Sequence, residues 1–307
     1  MLITAVPLIF IEGIRRIDLA FIPSSRNVYM ATISDKMHLL DSIPSPRLIL
    51  MSGSSMAFGV DSDLLSKELE IPVINASLHF KLGSRFMMDQ LRATVRKGDF
   101  VLITLEYVVS SKGKCEEKLA AADFYPPAKN WIHFNSFSDK IGSCFTHKLV
   151  DFKLLMGEIW SGTRMKPISI NDSTSVFFRK CFAKNGDLLG HLNNPQPKFE
   201  VPEISNEVEF SQQIKDLNDF GNFAKQQGVT VFFTFPSYVE SGFERNIPVI
   251  KKIEKQYRNN LKFSILGSPE NSVLDDSFFY DNPFHLNAQG RKIFSSRLIQ
   301  LLEQKGI

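Results

Sequence analysis

The sequence predicts an α/β protein with a parallel sheet and a long central insertion, and two observations support this organisation. Short apolar runs alternate with amphipathic segments of helical period in the first and last thirds of the chain, as expected of βαβ units. The stretch from about 108 to 205 lacks this alternation and contains both tryptophans. We therefore expect one α/β domain over 47–307 with a long central insertion at about 108–205, preceded by a lead-in over 1–46.

The predicted elements follow one another as βαβ units require. In the lead-in, a short amphipathic helix over 34–43 ends before Pro44, since the residue before a proline disfavours helix. The first third then has strands at 47–51, 71–77 and 100–107 and helices at 61–70 and 83–96. The insertion has helices near 145–160, and the last third has helices at about 207–227, 247–258 and 288–304 and strands at 229–235 and 263–266.

Composition excludes several classes of function. Of 307 residues, 43% are hydrophobic and 22% are charged, which is typical of a globular protein with a core. The net charge of +3 arises from interspersed charges, so the chain lacks the basic patch of a nucleic-acid-binding protein. The three cysteines have no metal-binding spacing, and neither a GxGxxG motif nor a P-loop is present. We expect no metal, no cofactor and no nucleic-acid partner.

The first residues, MLITAVPLIFIEGI, form an apolar run that two arginines follow. The run is shorter than the roughly 20 residues of a membrane span, and it lacks the basic first region of a signal peptide. Two interpretations stay open at this point: the end of a membrane anchor that begins in a longer gene product, or an ordinary buried segment.

A candidate nucleophile lies directly after the first predicted strand. The strand at 47–51 runs into the turn Ser52-Gly53-Ser54-Ser55. Open α/β sheets bind ligands beyond the carboxyl ends of their strands, and small residues let a substrate approach backbone N–H groups that can hold an oxyanion. Ser55 is therefore the predicted nucleophile. The alternative is an ordinary strand-to-helix turn, in which small polar residues are common.

A candidate base lies some 230 residues later, before the last predicted helix. Asp281 and His285 share one loop, and Pro283 stiffens the link between them. A serine becomes a useful nucleophile when a base takes its proton and a carboxylate orients that base. Together with the serine turn, the pair predicts a catalytic site. Taken alone, His285 could instead be a structural histidine that forms hydrogen bonds within the loop.

Four sequence blocks resemble the SGNH (GDSL-type) hydrolase superfamily. They are GSSMAFGVDSDLL, VINASLHFKLG, GDFVLITLEY and FYDNPFHLNAQGR, and FRKCFAKNGDLLGHL in the insertion matches faintly. The chain is most similar to the envelope-associated branch, which includes the D-alanyl transfer protein of teichoic acid synthesis and polysaccharide O-acetylation proteins. The resemblance covers about 45–107 and 207–304 and implies a three-layer, flavodoxin-like parallel sheet.

Carried over by position, the resemblance makes Ser55 the nucleophile, His285 the base and Asp281 its orienting carboxylate. The spacing from Asp281 to His285 is one residue longer than the superfamily's, and Asn282 stands at the usual spacing, so either residue could orient His285. The second block implies an oxyanion donor in the backbone N–H of Ser77, which stands where glycine is expected, and Asn75 is predicted to position that amide.

The third block departs from the superfamily. It carries Glu106 and Tyr107 and lacks the usual asparagine, so that oxyanion donor is absent. Both residues are candidate substrate contacts at a strand end, and a capped, solvated carboxylate is the preferred interpretation of Glu106. His79 and His191 are assigned structural roles, with contact to the cleft as the alternative. Losing one oxyanion donor costs about 10²- to 10³-fold in rate.

The resemblance thus implies a serine-dependent acyl ester hydrolase or O-acyltransferase that acts on a cell-surface glycan or a related small ester. It would be located in a bacterial cell envelope, with membrane association through the N-terminus. The substitutions in the oxyanion blocks favour one alternative, a non-catalytic envelope protein that binds a glycan or an assembly partner. A cytoplasmic esterase is the further alternative if no anchor precedes the chain.

Overall fold

A five-stranded parallel sheet forms the centre of the computed structural model, which describes residues 13–14, 27–160, 176–205 and 210–307. Its strands are β1 (Leu48–Met51), β2 (Val73–Asn75), β3 (Phe100–Ile103), β4 (Thr230–Thr234) and β6 (Ser264–Leu266). Strand β5 (Tyr238–Val239) comes between β4 and β6 in the chain but lies outside this sheet. The strand order is β2-β1-β3-β4-β6, the flavodoxin-like arrangement. β5 pairs in parallel with β7 (Val273–Leu274) as a separate two-stranded sheet.

Helices cover both faces of the sheet, which gives three layers. They are α1 (Thr32–Ser42), α2 (Ser55–Gly59), α3 (Ser62–Glu68), α4 (Gly83–Arg92), α5 (Cys115–Phe124), α6 (Phe137–Trp160), α7 (Ser211–Gln226), α8 (Glu240–Asn260) and α9 (Ala288–Glu303). Alternate strand residues face opposite ways: Ile49 and Val101 join the cluster under α1, α4, α7 and α8, whereas Leu48 and Leu102 join the cluster under α3 and α9. Burial on both faces explains why these strands read as continuous apolar runs.

The predicted fold class is confirmed, and the differences lie at the ends of elements and in short elements that were not predicted. β3 ends at Ile103, four residues before the predicted limit. α8 begins at Glu240 and passes through Pro248, near which its start was predicted. The pair of β5 and β7, and helix α5 in the predicted insertion, had no counterpart among the predicted elements.

The strand order places a topological switch point between β1 and β3. From β1 the chain moves to β2 on one side, and it then returns to β3 on the other. Ligands of open α/β sheets bind outside the strand ends at such a point. The serine turn follows β1 and Glu106 follows β3, so both lie at this position.

The apolar N-terminal run lies outside the described residues, apart from 13 and 14. Among the helices that the structure describes, none combines the length and apolar character needed to cross a membrane.

Candidate active site

The serine turn presents Ser54 to His285. The Ser54 hydroxyl oxygen lies 2.8 Å from Nε2 of His285. Ser55 is the first residue of α2, and its hydroxyl is buried with no hydrogen-bond partner among the described residues. The predicted contact between Ser55 and His285 is therefore wrong, and Ser54 takes that position. The physical reason is local: α2 starts one residue after Ser54 and directs the Ser55 side chain into the interior.

A closed loop delivers His285 to the serine turn. The backbone bridge between Phe279 and Leu286 closes the loop, and the Tyr280 N–H donates to the His285 carbonyl at 2.7 Å. The imidazole ring stacks on the ring of Phe58, with 3.6 Å between centroids and 5° between planes. Phe58 belongs to α2, so the helix that follows the serine turn also fixes the plane of the base.

Two side chains approach the other ring nitrogen of His285. Nδ1 lies 2.7 Å from Oδ1 of Asp281 and 2.7 Å from Nδ2 of Asn282. The Phe284 N–H donates to Oδ1 of Asn282 at 2.9 Å, which turns the amide nitrogen of Asn282 towards the ring. A carboxylate oxygen can accept the proton on Nδ1, whereas an amide nitrogen is only a donor. Asp281 is therefore the residue that can orient His285 with Nε2 free to accept from Ser54.

Glu106 caps the serine turn from the neighbouring strand. Its Oε1 accepts from the N–H groups of Ser54 and Ser55, both at 2.7 Å, and its Oε2 accepts from Gly53 N–H at 3.1 Å. The residue is only 2% exposed, so the expected solvated carboxylate is wrong. Because β3 ends at Ile103, the chain leaves the strand early and the Glu106 side chain reaches across to the turn after β1.

Gly53 makes this close approach possible. A Cβ atom built at Gly53 would lie 2.5 Å from Oε2 of Glu106, closer than real Cβ contacts come. The same Cβ atom would lie 2.7 Å from the backbone Cα of Phe80, which cannot turn away, so the serine turn requires glycine at this position.

The Ser77 amide, which the resemblance implies as an oxyanion donor, is also engaged. It donates to Oδ1 of Asn75 at 3.3 Å, and Ser77 itself is fully buried. The amide group of Asn75 in turn donates to the Met56 carbonyl at 2.9 Å and to Asp187 at 2.8 Å. Asn75 thus links the turn after β2 to α2, in which Met56 lies.

Tyr107 lies in the core and is not placed to contact a substrate. It is 2% exposed, and its ring packs edge-on against Tyr238, with 5.3 Å between centroids. Burial raises the pKa of the Tyr107 phenol well above its usual value. The expectation that Tyr107 contacts a substrate is wrong because the early end of β3 leaves this residue to fill the core.

A buried polar network beneath the site was not predicted. Asp187, from the insertion, accepts from the backbone and hydroxyl of Ser62 and from Arg291, which lies 2.5 Å away. Burial raises the pKa of Asp187, and Arg291 opposes that rise. The one signal in the sequence was the faint insertion match, in which Asp187 follows a glycine.

Lys36 of α1 joins the same network. Its ammonium donates to the carbonyls of Asn75 and Gly186, at 2.7 and 2.6 Å. Burial lowers the pKa of Lys36 to about 7, against the opposing charge of Asp187. Lysine is rarely buried completely without partners, and these two carbonyls tie the insertion to the end of β2.

The two other histidines near the site have mainly structural contacts. Nε2 of His191 lies 2.8 Å from the Leu286 carbonyl, and burial lowers the pKa of His191 to about 4. His79 accepts from the Lys81 N–H through Nδ1 and stacks on Phe80, and burial also lowers its pKa. Among the residues that the structure describes, no group of three or more side chains is arranged to hold a metal ion.

Comparison with known proteins assigns the chain to no family. No protein-family model and no curated protein matches the chain. The solved structures that match include a protein described as a lipolytic protein of the G-D-S-L family from Desulfitobacterium hafniense DCB-2, with 10% identity and a TM-score of 0.41. The alignment covers 84% of this chain and 99% of that chain. A likeness of this size carries no conclusion about activity.

Proposed function

We propose that the protein is a serine-dependent acyl ester hydrolase or O-acyltransferase in which Ser54 is the nucleophile. The observation that carries this proposal is the continuous chain of contacts from the Ser54 hydroxyl through both ring nitrogens of His285 to the Asp281 carboxylate, at 2.8 and 2.7 Å. Nucleophile, base and orienting acid in hydrogen-bond reach are the signature of an activated serine.

The reaction has two halves. As the Ser54 oxygen bonds to the ester carbonyl carbon, its proton passes to Nε2 of His285, and Asp281 stabilises the imidazolium that forms. The bond to the leaving alcohol then breaks, and His285 returns the proton to that alcohol. Water, or the hydroxyl of an acceptor, next attacks the acyl carbon while His285 takes its proton. The bond between the acyl carbon and the Ser54 oxygen then breaks, and His285 returns the proton to Ser54.

The finer assignment rests on the sequence resemblance alone. It makes the substrate an acylated cell-surface glycan or a related small ester, in a bacterial cell envelope. We also propose association with a membrane through the apolar N-terminal run, from the sequence alone.

The adjacent serines provide a matched pair of variants. Ser54→Ala removes the proposed nucleophile, whereas Ser55→Ala removes a buried hydroxyl that makes no hydrogen bond among the described residues. We expect hydrolysis of p-nitrophenyl acetate and labelling by a fluorophosphonate probe to be lost in Ser54→Ala and retained in Ser55→Ala. Mass spectrometry of the labelled peptide locates the modified oxygen, and label on Ser55 would contradict the assignment of Ser54.

One observation favours a non-catalytic alternative. The amide of the proposed nucleophile Ser54 and the predicted oxyanion donor, the Ser77 amide, already donate to Glu106 and Asn75. A protein that keeps the fold in order to bind a glycan or an assembly partner would not need free donors at this point. Absence of fluorophosphonate labelling in folded wild-type protein and in folded Glu106→Ala would favour this alternative, since labelling requires an activated serine.

A further inference from the structure

The serine turn and Glu106 together form a filled anion site. The N–H groups of Gly53, Ser54 and Ser55 are consecutive and converge on one carboxylate at 3.1, 2.7 and 2.7 Å. Successive backbone N–H groups that point into one concavity bind anions. Here the anion is a side chain of the protein itself, and it is shielded from solvent.

The Ser54 amide is the donor that acyl transfer would need. In serine hydrolases the N–H of the nucleophile stabilises the negative oxygen of the tetrahedral intermediate, and loss of one such donor costs about 10²- to 10³-fold in rate. In this structure Glu106 already accepts that hydrogen. A developing oxyanion would meet a carboxylate where the reaction requires donors.

We propose that Glu106 is an internal ligand of the oxyanion site and holds the enzyme inactive until its carboxylate leaves the amides. This inference rests on the proposed function, because it assigns a regulatory residue to the same site. Glu106 follows the end of β3 and precedes the buried Tyr107. The residue lies outside the sheet ladder, so movement of its side chain would unpair no residue of the sheet.

A purely structural role for Glu106 makes the opposite prediction. If the carboxylate only maintained the shape of the serine turn, its removal would leave three N–H groups unpaired, distort the turn and slow any reaction of Ser54. The sign of the change in rate therefore separates an inhibitory carboxylate from a structural one.

The test uses the full chain and the rate at which a small, uncharged fluorophosphonate labels Ser54. We expect Glu106→Ala to be labelled on the order of 100-fold faster than wild type, which is the rate effect of one oxyanion donor. Glu106→Gln keeps one acceptor oxygen but no charge, so its labelling rate should fall between those of wild type and Glu106→Ala. It replaces the alanine variant in this test if that variant does not fold. Glu117→Gln is the matched control: Glu117 pairs with Lys81 at 3.7 Å, and its neutralisation should leave the rate unchanged.

Sodium acetate adds a second readout at constant ionic strength, with chloride as the matched anion. Acetate should slow labelling of Glu106→Ala, because it refills the vacated amides, and should not affect wild type. A structural role predicts that acetate restores the turn and speeds labelling.

The outcomes distinguish the two proposals. If wild type is labelled at Ser54 and both folded Glu106 variants are labelled at the same rate or more slowly, the inhibitory role is overturned while the proposed function stands. Absence of labelling at Ser54 in wild type and in both variants would overturn the proposed function and this inference with it.

Discussion

The orienting acid offers the sharpest test of the site, because two adjacent residues compete for the same ring nitrogen. In Asp281→Asn, no carboxylate remains near Nδ1 of His285, and the amide nitrogen of Asn282 still lies 2.7 Å from it. That N–H can donate only if Nδ1 is unprotonated, so the ring proton moves to Nε2, which can then no longer accept from Ser54. The equivalent change in a serine protease lowers kcat about 10⁴-fold, or about 5.4 kcal/mol in the barrier, and we expect a loss near that size.

Asn282→Ala is the matched control. It keeps the Asp281 carboxylate 2.7 Å from His285 and removes the neighbouring amide, including its bond to the Phe284 N–H. We expect a loss below about 10-fold, typical of a lost neutral hydrogen bond. Both rates come from fluorophosphonate labelling of Ser54 or from p-nitrophenyl acetate hydrolysis. A larger loss in Asn282→Ala than in Asp281→Asn would refute the assignment of Asp281.

Two further predictions concern stability. Phe58→Ala should lower the free energy of unfolding by about 3–5 kcal/mol, because Phe58 is fully buried against His285; an alanine variant as stable as Phe58→Leu in urea denaturation would contradict this. Lys36→Met should change the pH dependence of stability. Burial lowers the pKa of Lys36 from 10.5 to about 7, so between these values only the unfolded chain keeps the proton, and wild-type stability gains up to about 1.4 kcal/mol per pH unit as pH rises. The wild-type advantage over Lys36→Met should therefore grow from about pH 7 to about pH 9 in urea titrations, and a constant difference would show that the folded and unfolded pKa values agree.

The fold was predictable because its strands are buried on both faces. β1 and β3 contain only apolar residues, and such runs between amphipathic helices point to a parallel sheet. β5 and β7 were missed because each has only two residues, too few to show a period. The helix at 247–258 was predicted too short, because α8 starts at Glu240 and continues through Pro248, where it tolerates one lost backbone hydrogen bond.

The sequence predicted which two loops form the site, but not which side chains make the contacts. The strand-end rule placed the serine turn at the sheet edge, and tautomer chemistry required a carboxylate near His285. The choice between Ser54 and Ser55 depends on where α2 begins, and helix boundaries are the least certain feature of a sequence. Asp187 and Lys36 were missed because their partners are backbone or distant groups that no local pattern reveals.

The early end of β3 decides the chemistry of the site more than any single catalytic residue. Had the strand continued to Tyr107, Glu106 would have stayed in the sheet ladder, with its side chain on one face of the sheet. Because the strand stops at Ile103, the chain turns where β1 and β3 lie side by side, and a carboxylate meets the amides of the serine turn. The position that the switch point provides for a ligand is thus occupied by a side chain of the protein, and the proposed reaction requires Glu106 to leave the amides of the serine turn.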